Sequence, residues 1–158
     1  MKKKDLYFLR TVSKSSFTAI FLLFLFLLPV LHLQAQDQDV TGKWKTIDDN
    51  TGEERSIVEI YEEGGEYFGR IAEVLAEDAD ELCGNCKGDK KDQPLAGLVI
   101  IEGLNREGEV YEGGTILDPA NGNVYNCKME LEDSDTLKVR GYRGISLLGR
   151  TQVWHRVE

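Results

Sequence analysis

The sequence predicts an all-β domain, about eight short antiparallel strands running as a meander that closes into a small barrel. Three observations carry that expectation. Short β-branched and aromatic runs recur between glycine-rich turns. No apolar spacing of about 3.6 residues persists long enough to make a substantial helix. The links between runs are mostly short, as antiparallel neighbours require. Closure removes the exposed edges of such a meander, and eight strands leave an interior that side chains fill or that holds one small ligand.

In chain order, the first strand, Gly42–Ile47, opens on Gly42-Lys43-Trp44 and stops before the turn Asp49-Asn50-Thr51-Gly52. The second, Ser56–Tyr61, lies between that turn and Gly64-Gly65, which hands over to the third, Tyr67–Val74. After a long connection the fourth, Leu98–Gly103, ends near Asn105-Arg106-Glu107-Gly108. The fifth, Val110–Leu117, ends at Asp118-Pro119-Ala120-Asn121-Gly122. The sixth, Val124–Leu131, alternates most clearly. Tyr125, Cys127, Met129 and Leu131 share the inward face, and Asn126, Lys128 and Glu130 the outward one. Past Asp133-Ser134-Asp135 the seventh strand, Thr136–Tyr142, sets Leu137, Val139 and Gly141 against Lys138, Arg140 and Tyr142. The eighth, Arg150–Val157, completes the set.

Ahead of these strands, a basic start (Lys2, Lys3, Lys4, Arg10, Lys14) runs into the apolar stretch Phe17 to Leu28, then Pro29 and Leu33-Gln34-Ala35. This is the layout of a secretory signal peptide, with cleavage expected after Ala35 and a periplasmic or secreted single domain over 36–158. The rival is an uncleaved transmembrane anchor, since the apolar run approaches the lower bound of about 17 residues. Pro29 and the polar stretch Gln34–Asp39 favour cleavage, and no second long apolar run follows, so no membrane insertion is expected after it. Removing the leader takes away five of 19 basic residues and one of 28 acidic ones, leaving 14 against 27, a net of −13. Such a field repels phosphate backbones and anionic lipid surfaces, which argues against nucleic acid and membrane-surface partners. Acidity of this kind also keeps an exported protein in solution.

One connection, about 76–97, exceeds ordinary loop length. It begins acidic (Glu77, Asp78, Asp80, Glu81), passes through Cys83-Gly84-Asn85-Cys86 and ends basic (Lys87, Lys90, Lys91). A short helical turn around Ala76–Leu82 is expected, and the charge pattern reads as a solvated surface loop. Three cysteine arrangements stay open. Cys83 and Cys86 form a local disulfide and leave Cys127 as a buried apolar residue; or one of them bridges to Cys127 and pins the loop, with a stabilisation of about 3 to 4 kcal/mol; or Cys83, Cys86, Cys127 and His155 form a Cys3His zinc site. An oxidising compartment and the lack of a second C-x-x-C favour one disulfide pair and no metal or other cofactor. Thioredoxin-like chemistry wants a helix N-terminus in a βαβ setting, which is missing here.

Catalysis has little support. Serine or cysteine triads need a histidine base, and His155 alone remains after the leader. Asp118 with Asn121 and Asn123 can suggest a calcium loop, but Asp-Pro followed by Asn-Gly is first a tight turn. Gly42, Trp44 and Trp154 are expected to be structural. The first and last strands are neighbours in a closed barrel, where Arg150 or Arg156 can stack on Trp44 with about 0.5 to 2 kcal/mol. This G-x-W start with a late arginine resembles lipocalin-like barrels.

Gly97-Leu98, Gly113-Gly114, Asp118-Pro119, Gly122, Tyr125 and the run RGYRGISLLGRTQVW from Arg140 to Trp154 resemble the bacterial exported family catalogued as domain of unknown function 2147. The resemblance covers Gly42 to Val157 and implies export and a small β-barrel, with no established activity. Glycines in the last block are explained by bends and close backbone approach. Arg140, Tyr142 and Arg150 are candidates for a ligand-facing patch. The leading expectation is a non-enzymatic exported barrel that binds a small molecule, an envelope component or a protein. The alternatives are a structural or interaction module working through the 76–97 loop, and a metal or redox protein using the cysteines.

Overall fold

Inside–outside alternation along eight strands, interrupted by a few irregularities, is what lets this chain close on itself. The computed structural model describes residues 39–49, 51–77 and 82–157. Its strands are β1 (Gly42–Ile47), β2 (Glu54–Glu63), β3 (Glu66–Val74), β4 (Val99–Glu107), β5 (Val110–Asp118), β6 (Asn123–Leu131), β7 (Thr136–Tyr142) and β8 (Arg150–Val157). Each pairs antiparallel with the next, and β8 returns to β1, giving a closed barrel. All eight expected strands are present, with β2 and β4 longer than the sequence suggested. The leader over residues 1–35 lies outside the described residues, as does most of the helical turn expected around Ala76–Leu82. Among its described residues the long connection holds a 3-10 turn at Gly88–Lys90. A second 3-10 turn, Ser146–Leu148, sits between β7 and β8.

The inward faces supply the core. Trp44, Val58, Ile60, Ile101, Leu104, Met129, Leu137 and Trp154 are all buried in one cluster. Cys127 and Met129 lie on the buried face of β6, as the alternation predicts. Strands β4 and β5 run so close that a Cβ on Gly114 would overlap the Glu102 carbonyl. Between Glu102↔Thr115 and Asn105↔Glu112 the ladder lapses without a change of register, with Gly103 and Gly113 both at positive φ, and on its other side β5 shifts register against β6 between Glu112 and Gly114. That irregularity is how a strand bends round a tight barrel.

The two ends differ. At one end the entering chain, 39–41, folds under the barrel as a plug, and Val40 is fully buried there. Trp44 Nε1 donates to the Val40 carbonyl at 2.7 Å. The Arg156 guanidinium lies 4.2 Å from the Trp44 ring centre and donates to the carbonyls of Ser134, Thr41 and Asp39 at 2.6, 2.9 and 3.0 Å. Arg156, rather than Arg150, therefore makes the stacking contact expected at the closure. Tyr67 and Tyr111 pack edge to face at 4.7 Å beside the plug, and the Tyr111 hydroxyl donates to Asp39 Oδ1 at 3.3 Å.

Candidate ligand cavity at the open end

The other end, ringed by the β1–β2, β3–β4, β5–β6 and β7–β8 connections, opens into the barrel as a cavity of about 740 Å³. Ile71, Ile100, Leu117, Val139 and Trp154 give it apolar walls. Gly141 lies on the inward face of β7, so its missing side chain leaves room opposite Ile116 and Tyr125. One side is polar. Thr46 and Ser56 face each other across β1 and β2 with hydroxyl oxygens 2.9 Å apart, and the Ser56 amide donates to Thr46 Oγ1 at 3.1 Å. Trp154 Nε1 donates to Gln152 Oε1 at 3.3 Å, which orients a second polar group in the wall. At the rim, Arg143 lies 4.8 Å from the Tyr125 ring centre.

The long connection crosses this mouth as a strap. Cys83 and Cys86 form a disulfide, and both are buried in the core cluster. The Asn85 side chain donates to the Ala120 carbonyl at 2.9 Å, and a Cβ on Gly122 would overlap the Asn85 carbonyl. The strap is tied internally by Cys83 N to Gln93 O (2.8 Å) and Asp92 N to Cys83 O (3.1 Å). Lys90 Nζ anchors its far side on the Val99 carbonyl and Glu102 carboxylate, at 2.8 and 2.7 Å. The expected solvated loop is thus corrected in part. Glu77, Lys87, Asp89, Lys91 and Asp92 face water, but the backbone of 82–97 is docked, and Leu82, Gly84, Asn85 and Leu95 line the cavity.

The local disulfide is the arrangement found among the three cysteine readings. Cys127 is free and buried inside the barrel, where desolvation pushes its thiol up to about 12. The bridge to Cys127 is therefore corrected. So is the zinc set of Cys83, Cys86, Cys127 and His155. Both loop sulfurs are spent on each other, and His155 is an exposed residue of β8, paired with Lys45 and Thr136. No group of three or more His, Cys, Asp or Glu side chains is placed to hold a metal among the described residues. Asp118 closes its own turn by accepting from the Ala120 amide and Asn121 Nδ2 at 3.1 and 2.7 Å, as the tight-turn reading expects.

The proposed patch of Arg140, Tyr142 and Arg150 is only partly assembled. Tyr142 and Arg150 stand at the cavity mouth, Arg150 in an ion pair with Asp49 at 2.7 Å. Arg140 is outside the cavity lining. It donates to the carbonyls of Ser146 (2.6 Å) and Leu147 (3.1 Å) and to Thr151 Oγ1 (2.6 Å), clamping the β7–β8 turn. Sequence reasoning missed Arg143, Thr46, Ser56 and Gln152. Arg143 stood inside the quoted RGYRG run, and Gln152 shares the inward face of β8 with Trp154, so both carried a readable signal.

A family model described as "Uncharacterized protein conserved in bacteria (DUF2147)" matches residues 42–156. Among solved structures, protein HP1028 from the human pathogen Helicobacter pylori, described as belonging to the lipocalin family, is similar. Its TM-score is 0.67 at 18% identity, over 76% of this chain and 84% of that one. That likeness shows a shared fold. No curated protein matches the chain.

Proposed function

The chain belongs to the DUF2147 family of bacterial proteins, and from that footing we propose that it is an exported, non-enzymatic binding protein that holds a small molecule in its barrel. The observation that carries this is the cavity of about 740 Å³, open at one end, with apolar walls facing a polar side. Its size falls inside the range of about 300 to 1,000 Å³ typical of small-molecule sites. A molecule with an apolar body fits the walls of Ile71, Ile100, Val139 and Trp154. A hydroxyl or amide on it can meet Thr46, Ser56 or Gln152, which fix its orientation. Export rests on the leader, and the Cys83–Cys86 disulfide supports an oxidising compartment. The docked strap suits a cover over the mouth better than an arm reaching for a partner.

The test is titration with an apolar environment-sensitive dye, N-phenyl-1-naphthylamine, on the wild type and on Gly141→Phe. A Cβ at Gly141 meets Ile116 and Tyr125 at 3.5 and 3.6 Å, ordinary contact distances, so the added ring occupies the cavity while the strand keeps its place. Dye affinity should fall at least about tenfold with little change in the thermal midpoint. Equal affinity in the two proteins, or no dye binding by either, sinks the cavity reading.

A further inference from the structure

We propose that the β7–β8 tip docks the open mouth of the barrel onto an anionic lipid surface. Residues 136–157 contain no Asp or Glu, in a chain that has 28; of their five basic residues Arg140, Arg143 and Arg150 lie toward the tip, while Lys138 and Arg156 lie toward the plugged end. At the turn of this basic hairpin three large apolar side chains face water: Ile145 is 61% exposed, Leu147 81% and Leu148 75%. Val124, also exposed, stands at the start of the neighbouring strand β6, at the same end of the barrel. Single exposed apolar residues are ordinary, whereas a cluster of them marks a contact surface.

The turn is built to hold these side chains out. Arg140 grips the Ser146 and Leu147 carbonyls from below, and Gly149 lies where any Cβ would collide with the Gly141 carbonyl and Tyr142. Leu148 also lines the cavity mouth, so whatever covers the tip covers the entrance. Arg143 flanks the tip with the Tyr125 ring as its contact and no carboxylate paired with it among the described residues. An apolar knuckle bordered by guanidinium groups matches the lipid interface, where acyl chains receive the first and phosphates the second.

The net charge of −13 over 36–158 argued against such a surface, but that argument treated the charge as evenly spread. At the mouth Asp49 is paired with Arg150 and Asp118 is engaged by its own turn, and screening over about 8 Å at physiological ionic strength mutes the acidic groups of the far end, so Arg143 is the charge a docked tip presents. A second copy of the chain fits the tip poorly, because a two-fold contact would set one basic hairpin against another.

Flotation with vesicles tests the proposal without any cavity ligand, and so independently of the binding function. The processed protein should bind phosphatidylglycerol–phosphatidylethanolamine vesicles, release them in high salt, and bind phosphatidylcholine vesicles much more weakly. The double variant Leu147→Ser/Leu148→Ser should lose at least about tenfold in affinity, and Arg143→Gln several-fold on the anionic vesicles alone, with both barrels melting as the wild type does. Absent binding to anionic vesicles, equal binding to the neutral ones, or an unaffected double variant each overturns the proposal. Capture of an acidic protein by the tip in place of vesicles overturns it too.

Discussion

Arg156 ties together three parts of the chain that are distant in sequence. Its guanidinium covers Trp44 from β1 and holds carbonyls of the 39–41 plug and of the β6–β7 turn at once. Arg156→Ala should therefore cost about 2 to 4 kcal/mol in denaturant unfolding, summing a cation-π contact and several charge-assisted hydrogen bonds. Arg156→Lys should recover less than half, because an ammonium cannot span three carbonyls and a ring as a planar fork does. Cys127 sets a different dependence. Burial raises its thiol from 9.0 to about 12, and burial likewise raises Tyr111 from 10.0 to about 12. Above about pH 9 the unfolded chain gives up these protons while the folded one keeps them, so stability is level below that pH and falls as pH rises toward 12. Cys127 alone accounts for up to about 4 kcal/mol of the fall. Urea midpoints from pH 8 to 11 check this, and Cys127→Ala should flatten the slope. Iodoacetamide at pH 8 should label the folded protein slowly and label Cys127 fully in denaturant.

The strap is the element whose contacts decide whether the mouth is covered. Its disulfide closes a very small ring, worth only about 2 kcal/mol in the chain-entropy model. Dithiothreitol should thus lower the thermal midpoint by a few degrees while hydrogen exchange at 83–93 rises strongly and the strand amides stay protected. Gly122→Ala should loosen the same strap without reductant. Its φ of +67° already disfavours a side chain, and the added methyl overlaps Asn85. Strong exchange protection over 83–93 in that variant would show that the strap does not depend on the β5–β6 turn. The strands were legible because period-two alternation and turn residues are local signals, as at Cys127, Met129, Leu137 and Val139. The strap was not, because what docks it is a carbonyl on Asn85 meeting a glycine 37 positions away, and no local pattern encodes that pair. The site divides the same way. Gln152 could be placed by its alternation with Trp154, whereas the Thr46–Ser56 pair needs the β1–β2 register, which slips at Ile47.

A closed barrel has no free edge, but its eight ladders are not equally long, and the closing one is among the two shortest, with the β3–β4 ladder that the strap covers. β1 and β8 share three paired positions, Lys43↔Val157, Trp44↔Arg156 and Lys45↔His155, while β7 and β8 share six. All three lie toward the plugged end. Nearer the mouth, β8 from Arg150 to Trp154 pairs with β7 and has no paired residue on β1. Two arginine contacts span this seam, Arg156 over Trp44 at one end and Arg150 with Asp49 at the other. The exposed ion pair contributes little, about 0 to 1 kcal/mol, so Arg156 is the principal staple. Opening should then begin between β1 and β8 at the mouth. Native-state hydrogen exchange should show the amides of β1 and the first half of β8 exchanging through openings well below the global unfolding free energy, and those of β5 and β6 only through global unfolding. Arg156→Ala should deepen this difference, whereas Arg150→Ala should leave it nearly unchanged. Uniform protection round the barrel in the wild type would mean that the plug, rather than the seam ladder, governs opening. The same seam adjoins the polar wall of Thr46 and Gln152, so a bound molecule touching both strands should raise protection there first.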